Sequence, residues 1–236
     1  MKIQIYDSTY EKSWIYTKAL SYLFSPFFDD MSRSKDEFTE EPYQDSIELI
    51  AVEDDQVVGL LDIGIYTEEA SHSYAYYPGE KIAYFANLAV HPDFQNQGIA
   101  SQLFQTAREQ LHEKKVEALI IFTRDGEQAN HLYQKWGGKL ICQDYLVVGR
   151  PKGQIPFSFS VDTKQQTICL TDKSGNSLGY YQREGHYIVS RKEDLEHFEI
   201  DELYKEHTYV LKIEWDIGSF SEEITAGSFM RACFLL

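Results

Sequence analysis

The clearest pattern of apolar and polar positions along the chain lies in residues 82–111. Residues 82–90 read Ile-Ala-Tyr-Phe-Ala-Asn-Leu-Ala-Val, which is typical of a strand buried on both faces. Pro92 cannot continue a sheet ladder, so we predict that the strand ends near His91. Apolar residues then recur at positions 100, 103, 104, 107 and 111, the spacing of one helix face. A buried strand, a short polar loop and an amphipathic helix are therefore predicted in that order.

The pattern before this segment predicts three strands and a helix. Residues 2–6 alternate as a strand, and Asp7 or Ser8 is the predicted cap of the helix that follows. Residues 47–53 and 57–66 are predicted strands joined by a polar turn.

The pattern after the segment predicts a crossover and its closing elements. Residues 116–122 form a buried strand, and strand, helix and strand with short links imply a parallel crossover. Ala129, Leu132, Tyr133 and Trp136 share one apolar helix face. Gly137 is expected to end this helix, and residues 139–148 form the next strand.

The last third of the chain has a different organisation. Pro151, Gly153 and Pro156 mark a boundary, so we predict one domain over residues 1–150 and a β-rich extension over residues 151–236.

Short apolar runs separated by turn residues predict a meander of strands in this extension. The runs are 157–161, 167–170, 178–181 and 187–190. We also predict a charged helix over 192–204 and strands over 209–215 and 230–236. No motif is evident there, so we expect the extension to pack on the first domain or to mediate dimerisation, which leaves a homodimer open.

Composition places the chain among globular proteins. It has 236 residues, of which 43% are hydrophobic, and it contains no apolar run of about 18 residues that would predict a membrane span. No charged and apolar leader is evident. Cys142, Cys169 and Cys233 lack metal-ligand spacing and are interpreted as reduced thiols. We therefore predict a cytoplasmic protein without a metal ion.

The charge of the chain is strongly acidic and unevenly distributed. A net charge of −16 argues against nucleic acid and anionic membrane surfaces as partners. Residues 1–97 carry 6 basic and 18 acidic side chains, whereas residues 98–150 carry 7 and 6. The acidic part is either an ordinary solvated surface or an approach that attracts a cationic amine.

The loop between the strand and the helix has the chemistry of an anion site. Backbone N–H groups at a helix start lack intrahelical partners, and the helix dipole adds partial positive charge there. Phosphate is the usual ligand of such a site. Gly98 allows the backbone to approach a ligand because it has no Cβ.

These residues resemble the acyl-CoA-binding motif of the GNAT N-acetyltransferase superfamily. The Leu-x-Val-x-Pro end of its strand matches residues 88–92, and its Gln-x-x-Gly-x-Ala loop matches residues 95–100. The resemblance implies an α/β (α+β) fold with a mixed, mostly antiparallel central sheet flanked by helices. An ordinary strand-to-helix turn with a glycine is the alternative.

The resemblance also implies a reaction, in which acetyl-CoA donates its acetyl group to a primary amine by direct attack. A small, cationic amine is the expected acceptor, while transfer to a protein N-terminus or lysine and a non-catalytic coenzyme A sensor or scaffold are alternatives. The residues assigned to acetyl-CoA are Leu88, Val90, Gln95, Gln97, Gly98, Ile99, Ala100, Ser101 and Asn130.

A second stretch resembles the family's Ala-x-x-Leu-Tyr-x-Lys-x-Gly signature, over residues 129–137. Tyr133 of this stretch is the predicted catalytic acid, since a phenol with a pKa of about 10 stays protonated at neutral pH and can protonate a departing thiolate. Gly126 stands where the family usually has Asn, seven residues before the Tyr, and Asn130 is the proposed substitute.

The general base is not assigned by the sequence. Many relatives have Glu just before the Leu-x-Val, where this chain has Ala86 and Asn87. Glu80, Asp62 and Tyr84 are the remaining candidates.

Overall fold

The structure is a computed structural model. It describes residues 1–21, 38–40, 42–73, 81–124, 128–152, 157–162, 167–172, 180–183, 186–189 and 191–213. The chain divides into two compact units, the first built from residues 1–71, 80–120 and 212–216 and the second from residues 72–79, 121–211 and 217–236. The predicted strand over 230–236 and the candidate base Glu80 lie outside the described residues.

Within residues 1–124 the structure contains the predicted elements in the predicted order, together with a short helix over residues 68–73 that was not predicted. They are β1 (Lys2–Ile5), α1 (Glu11–Ser21), β2 (Tyr43–Glu53), β3 (Gln56–Tyr66), α2 (Glu68–Ser73), β4 (Ile82–Val90), α3 (Ile99–Glu113) and β5 (Ala118–Arg124). The strands lie in the order β1-β2-β3-β4-β5. All of these pairs for which a register is described are antiparallel except β4 with β5, which is parallel as the crossover predicts.

The first unit is organised around β3, which is buried along ten of its eleven residues. Trp14 of α1 is fully buried and belongs to one apolar cluster with Leu60 of β3 and Ala89 of β4. The helix α3 packs on the opposite face, where a Cβ added to Gly59 would lie 2.7 Å from Cγ2 of Ile99. The missing side chain of Gly59 therefore allows α3 to approach the sheet.

The elements of the second unit are mostly strands. They are α4 (Gln128–Lys135), β6 (Lys139–Pro151), β7 (Phe157–Asp162), β8 (Thr167–Asp172), β9 (Tyr180–Arg183), β10 (His186–Val189) and β11 (Phe198–Lys212). The order β11-β6-β10-β9 is antiparallel throughout, and β7 pairs with β8 as a separate hairpin. The mostly antiparallel sheet, the flanking helices and the β-rich C-terminal region are confirmed.

The predicted helix over residues 192–204 is wrong. A short 3-10 helix covers Lys192–His197, and β11 begins at Phe198. Glu, Lys and Leu are good helix formers, but intrinsic helix propensity amounts to only a few tenths of a kcal/mol per residue, which tertiary context overrides. The long antiparallel pairing of β11 with β6, from Phe198 opposite Pro151 to Val210 opposite Lys139, outweighs that preference.

The pairing of β6 with β11 joins residues on both sides of the predicted boundary at residue 150. An independent domain over residues 151–236 stays a prediction. Within the described residues, none of the helices combines the length and the apolar character needed to cross a membrane. The same part of the chain places no group of three or more His, Cys, Asp or Glu side chains where they could hold a metal ion.

Candidate functional site

The loop between β4 and α3 is shaped by two left-handed residues and a short 3-10 helix. The 3-10 helix covers Pro92–Phe94, and its start is capped by His91, whose Nδ1 accepts a hydrogen bond from the N–H of Asp93 at 3.3 Å. Asn96 and Gly98 then have φ angles of 61° and 82°. This left-handed backbone is the conformation that glycine adopts without steric penalty.

Two exposed side chains brace the loop. Nε2 of Gln95 donates to the carbonyl of Val90 at 3.3 Å, and Nε2 of Gln97 donates to the carbonyl of Asp93 at the same distance. The predicted contact residues Gln95 and Gln97 therefore hold the loop's own backbone in this structure.

Gly98 is the N-cap residue of α3, and no side chain caps this helix start. Its first intrahelical bond runs from the N–H of Gln102 to the carbonyl of Gly98 at 3.0 Å. Among the described contacts, no protein acceptor receives a hydrogen bond from the amides of residues 97–101. A Cβ built on Gly98 would meet only Nε2 of Gln102, at 3.8 Å, so the space beside this glycine is open. Unpaired amides at a helix start are a typical binding position for anions.

The strand β4 separates early from its parallel neighbour. Its register with β5 covers Ile82, Ala83 and Tyr84 only. Leu88 and Val90 lie beyond this short pairing and are half-buried. A strand edge of this kind can pair with an extended ligand in the way that an added strand does.

Two features of β4 had no signal in the sequence. The register with β3 shifts between Asp62 and Ile63, which leaves Ala86 as an extra residue in a β-bulge. The second feature is Ser21, at the end of α1, whose Oγ donates to the carbonyl of Val90 at 2.8 Å. Bulges are common next to active sites because they re-aim side chains.

The remaining predicted residues lie in the second unit, on α4. Asn130 and Tyr133 are three residues apart, so they lie on one face of the helix, and both are 6% exposed. The ring of Tyr133 packs against Trp136 and Tyr209, with ring centroids 5.8 and 6.2 Å apart. Gly126 lies outside the described residues.

Eight of the predicted residues lie in one continuous segment of the chain, which runs from β4 into α3 and belongs to the first unit. They are Leu88, Val90, Gln95, Gln97, Gly98, Ile99, Ala100 and Ser101. Ile99 is 3% exposed, so only its backbone is placed to contact a ligand. Ala100 and Ser101 are half-buried in the first turn of α3.

Comparison with known proteins identifies the class to which this fold and loop belong. Residues 15–138, more than half of the chain, match the model of the acetyltransferase (GNAT) family. The chain belongs to this family, and the resemblance found in the sequence is confirmed. No curated protein matches the chain in sequence.

Solved structures show the same fold at low sequence identity. An aminoglycoside 6'-N-acetyltransferase from Enterococcus faecium is 10% identical with a TM-score of 0.51, over 92% of this chain and 100% of that chain. NAA60 of Arabidopsis thaliana, solved in complex with acetyl-CoA, is 13% identical with a TM-score of 0.51, over 90% and 98% of the two chains. An N-acetyltransferase from Staphylococcus aureus Mu50 is 12% identical with the same TM-score, over 90% and 98%.

Proposed function

We propose that this chain is an N-acetyltransferase that moves the acetyl group of acetyl-CoA to the primary amine of a small molecule. The observation that carries the proposal is the open start of α3, where the amides of residues 97–101 donate to no described protein acceptor. A diphosphate satisfies several such donors together with the positive end of the helix dipole. The backbone of Leu88 and Val90 would hold the pantetheine arm beside it.

The reaction is a direct transfer. The lone pair of the amine nitrogen attacks the thioester carbonyl, the C–N bond forms, and the C–S bond breaks. Tyr133 donates its phenolic proton to the departing sulfur, and water carries away the proton released from the nitrogen. A backbone N–H near Val90 would stabilise the negative charge that develops on the carbonyl oxygen.

A small cationic acceptor is proposed because of charge. The solved structures with a similar fold include both an aminoglycoside acetyltransferase and NAA60, so the fold does not discriminate between acceptors. The acidic excess over residues 1–97, 18 acidic against 6 basic side chains, favours a cationic amine. Transfer to a protein N-terminus or lysine is the alternative enzyme activity, and a cytoplasmic location stays a prediction.

The test combines coenzyme A binding with thiol release. Calorimetry should register binding of coenzyme A, and acetyl-CoA should release free thiol with at least one of spermidine, an aminoglycoside and an amino acid amide. Coenzyme A binding without acetylation of these amines or of a peptide would favour the non-catalytic binding module. Two features of the sequence support that module: β4 carries Ala86 and Asn87 where many relatives have Glu, and Gly126 stands where the family usually has Asn. Absence of binding would overturn the proposal altogether.

The role of Tyr133 is tested by Tyr133→Phe. We expect turnover to fall on the order of a hundredfold, since general acid catalysis contributes at least that much, while KM for acetyl-CoA stays nearly unchanged. The buried ring keeps its packing against Trp136 and Tyr209 in this variant. Turnover equal to that of the natural chain would remove Tyr133 from the mechanism.

A further inference from the structure

A row of polar side chains crosses the core of the first unit. Glu48, Asp62 and Asn87 are register partners on β2, β3 and β4. Asp62 is 0% exposed and Asn87 is 5% exposed. Nδ2 of Asn87 donates a hydrogen bond to Oδ2 of Asp62 at 3.2 Å.

This row lies on the face of the sheet that α1 covers. Leu60 and Ala89, two residues along from Asp62 and Asn87, belong to the apolar cluster around Trp14. Alternate residues of a strand share a face, so the two polar side chains are on the same side as Trp14. An aliphatic pair at these positions would continue that core.

A carboxylate is an uncommon residue at a fully buried position such as that of Asp62. A buried carboxylate loses its hydration, and even a hydrogen-bonded or paired one is often no more stabilising than well-packed apolar residues. Asp62 also lies opposite Glu48, a second carboxylate, on its other side. The arrangement therefore points to a role in function.

The carboxylate fixes the orientation of the amide. An ionised carboxylate only accepts hydrogen bonds, so the donor end of the Asn87 amide must face Asp62. The acceptor end, Oδ1, then faces away from Asp62. The described contacts of Asn87 include no donor to Oδ1, although the residue is more than nine-tenths buried.

The position of Asn87 relates it to the acyl donor. It directly follows the bulge residue Ala86 and directly precedes Leu88, where the proposed pantetheine-binding edge begins. It also lies beyond Tyr84, at which the pairing of β4 with β5 ends.

We propose that Oδ1 of Asn87 accepts a hydrogen bond from the nitrogen of the acceptor amine, and that Asp62 is the positioning residue that holds the Asn87 amide in the required orientation. An amide oxygen orients the amine without taking its proton. This assignment rests on the proposed transferase function.

The test measures KM for the amine separately from KM for acetyl-CoA, with an amine that the natural chain acetylates. Asn87→Leu removes the acceptor at similar volume, and we expect KM for the amine to rise on the order of tenfold or more, as for loss of one hydrogen bond to a charged or reacting group. Asp62→Asn should produce a smaller increase in KM for the amine, because the side-chain amide of Asn87 can then flip and present its donor end instead of Oδ1. KM for acetyl-CoA should stay unchanged in both.

The exchange variant Asp62→Asn with Asn87→Asp keeps one amide and one carboxylate in the pair. The carboxylate on β4 would bond the new Asn with one oxygen and offer the other to the amine, so KM for the amine should return to the natural value or below. Because the pair stays hydrogen-bonded, this variant tests the assignment even where Asn87→Leu does not fold. Glu48→Gln is the matched control, since it removes the neighbouring carboxylate of the same row and should leave both KM values unchanged.

The outcomes separate this assignment from the proposed function. If the natural chain acetylates an amine but the exchange variant folds and its KM for the amine stays raised, the assignment is wrong and the transferase function stands. An unchanged KM for the amine in Asn87→Leu overturns it in the same way. If the natural chain binds coenzyme A and acetylates no amine, both fail.

Discussion

Two helix starts in the first unit are built in opposite ways. The 3-10 turn Ser8–Tyr10 leads directly into α1, and the side chain of Asp7 closes it by accepting a hydrogen bond from the N–H of Thr9 at 2.8 Å. The start of α3 has Gly98 in the equivalent place, with no side-chain cap. At the start of α1 a side-chain oxygen of the protein accepts a hydrogen bond from a backbone N–H group. At the start of α3 the backbone N–H groups have no such cap and are available to a ligand. The difference separates a structural helix start from one suited to a diphosphate.

The largest expected effect is that of Gly98→Val. A β-branched residue is strongly disfavoured at φ 82°, and its side chain would occupy the open space where the diphosphate is proposed to bind. Loss of two hydrogen bonds to a charged ligand corresponds to on the order of a hundredfold or more in affinity. Calorimetry with coenzyme A measures this change.

Gly137→Val is the matched control for that experiment. Gly137 also has a left-handed backbone, at φ 97°, and an added Cβ would meet nothing within 4 Å. Both variants should lose similar stability, on the order of 1–2 kcal/mol for a side chain in this conformation. Coenzyme A affinity should fall only in Gly98→Val. Equal losses of affinity in the two variants would assign the effect to general destabilisation.

An intermediate effect is expected from Gly59→Ala, which disturbs the support of the open helix start. The added Cβ would lie 2.7 Å from Cγ2 of Ile99 and 3.1 Å from Cδ1 of Leu103, so the Ile99 side chain has to give way, and we expect α3 to move away from β3 with it. Overpacking of this kind destabilises by about 1–3 kcal/mol. Thermal unfolding should report that loss, and calorimetry should show weaker coenzyme A binding because the amides beside Ile99 move with the helix. Unchanged affinity would show that the site tolerates this shift.

Removal of the side-chain cap in Asp7→Ala should lower the thermal midpoint slightly and leave coenzyme A affinity unchanged. The hydrogen bonds from Thr9 lower the pKa of Asp7 below its ordinary value. A lowered pKa in the folded state means that the stabilisation is present above the unfolded pKa and is lost as the pH falls through the folded pKa. The difference between the variant and the natural chain should therefore disappear in acid. A difference that persists there would contradict the cap.

The smallest expected effect concerns the other end of α3. Nζ of Lys114, the residue that ends the helix, lies 2.6 Å from Oδ2 of Asp45 on β2. Burial by itself raises the pKa of Asp45, but the hydrogen bonds from Lys114 and Ser46 outweigh it and the pKa is lowered. Both side chains are about one-third or more exposed, so Asp45→Asn should cost only about 0.2–1 kcal/mol at neutral pH.

This contribution of Asp45 should also disappear as the pH falls through its folded pKa. Chemical unfolding at two pH values measures it, and Glu109→Gln on the exposed face of α3 is a suitable comparison. A pH-independent loss in Asp45→Asn would attribute the effect to packing.

Local signals in the sequence were enough to predict the segment that carries the proposed site. Pro92 ends β4, Gly98 begins α3, and the apolar spacing of the helix names Leu103, Phe104, Ala107 and Leu111, all of which are buried. These signals act within about thirty consecutive residues, where local backbone chemistry and periodicity decide the structure. The family resemblance likewise rests on short motifs of consecutive residues.

The strands and side chains that pair with this segment could not be predicted from it, because they come from distant parts of the chain. The bulge at Ala86, the hydrogen bond between Asn87 and Asp62, and the strand in place of a helix from Phe198 onward all depend on the register of distant strands. A shift of one residue in such a register turns every side chain to the other face of the sheet. Local patterns carry no information on that alignment, because it is set by the packing of whole strands against one another.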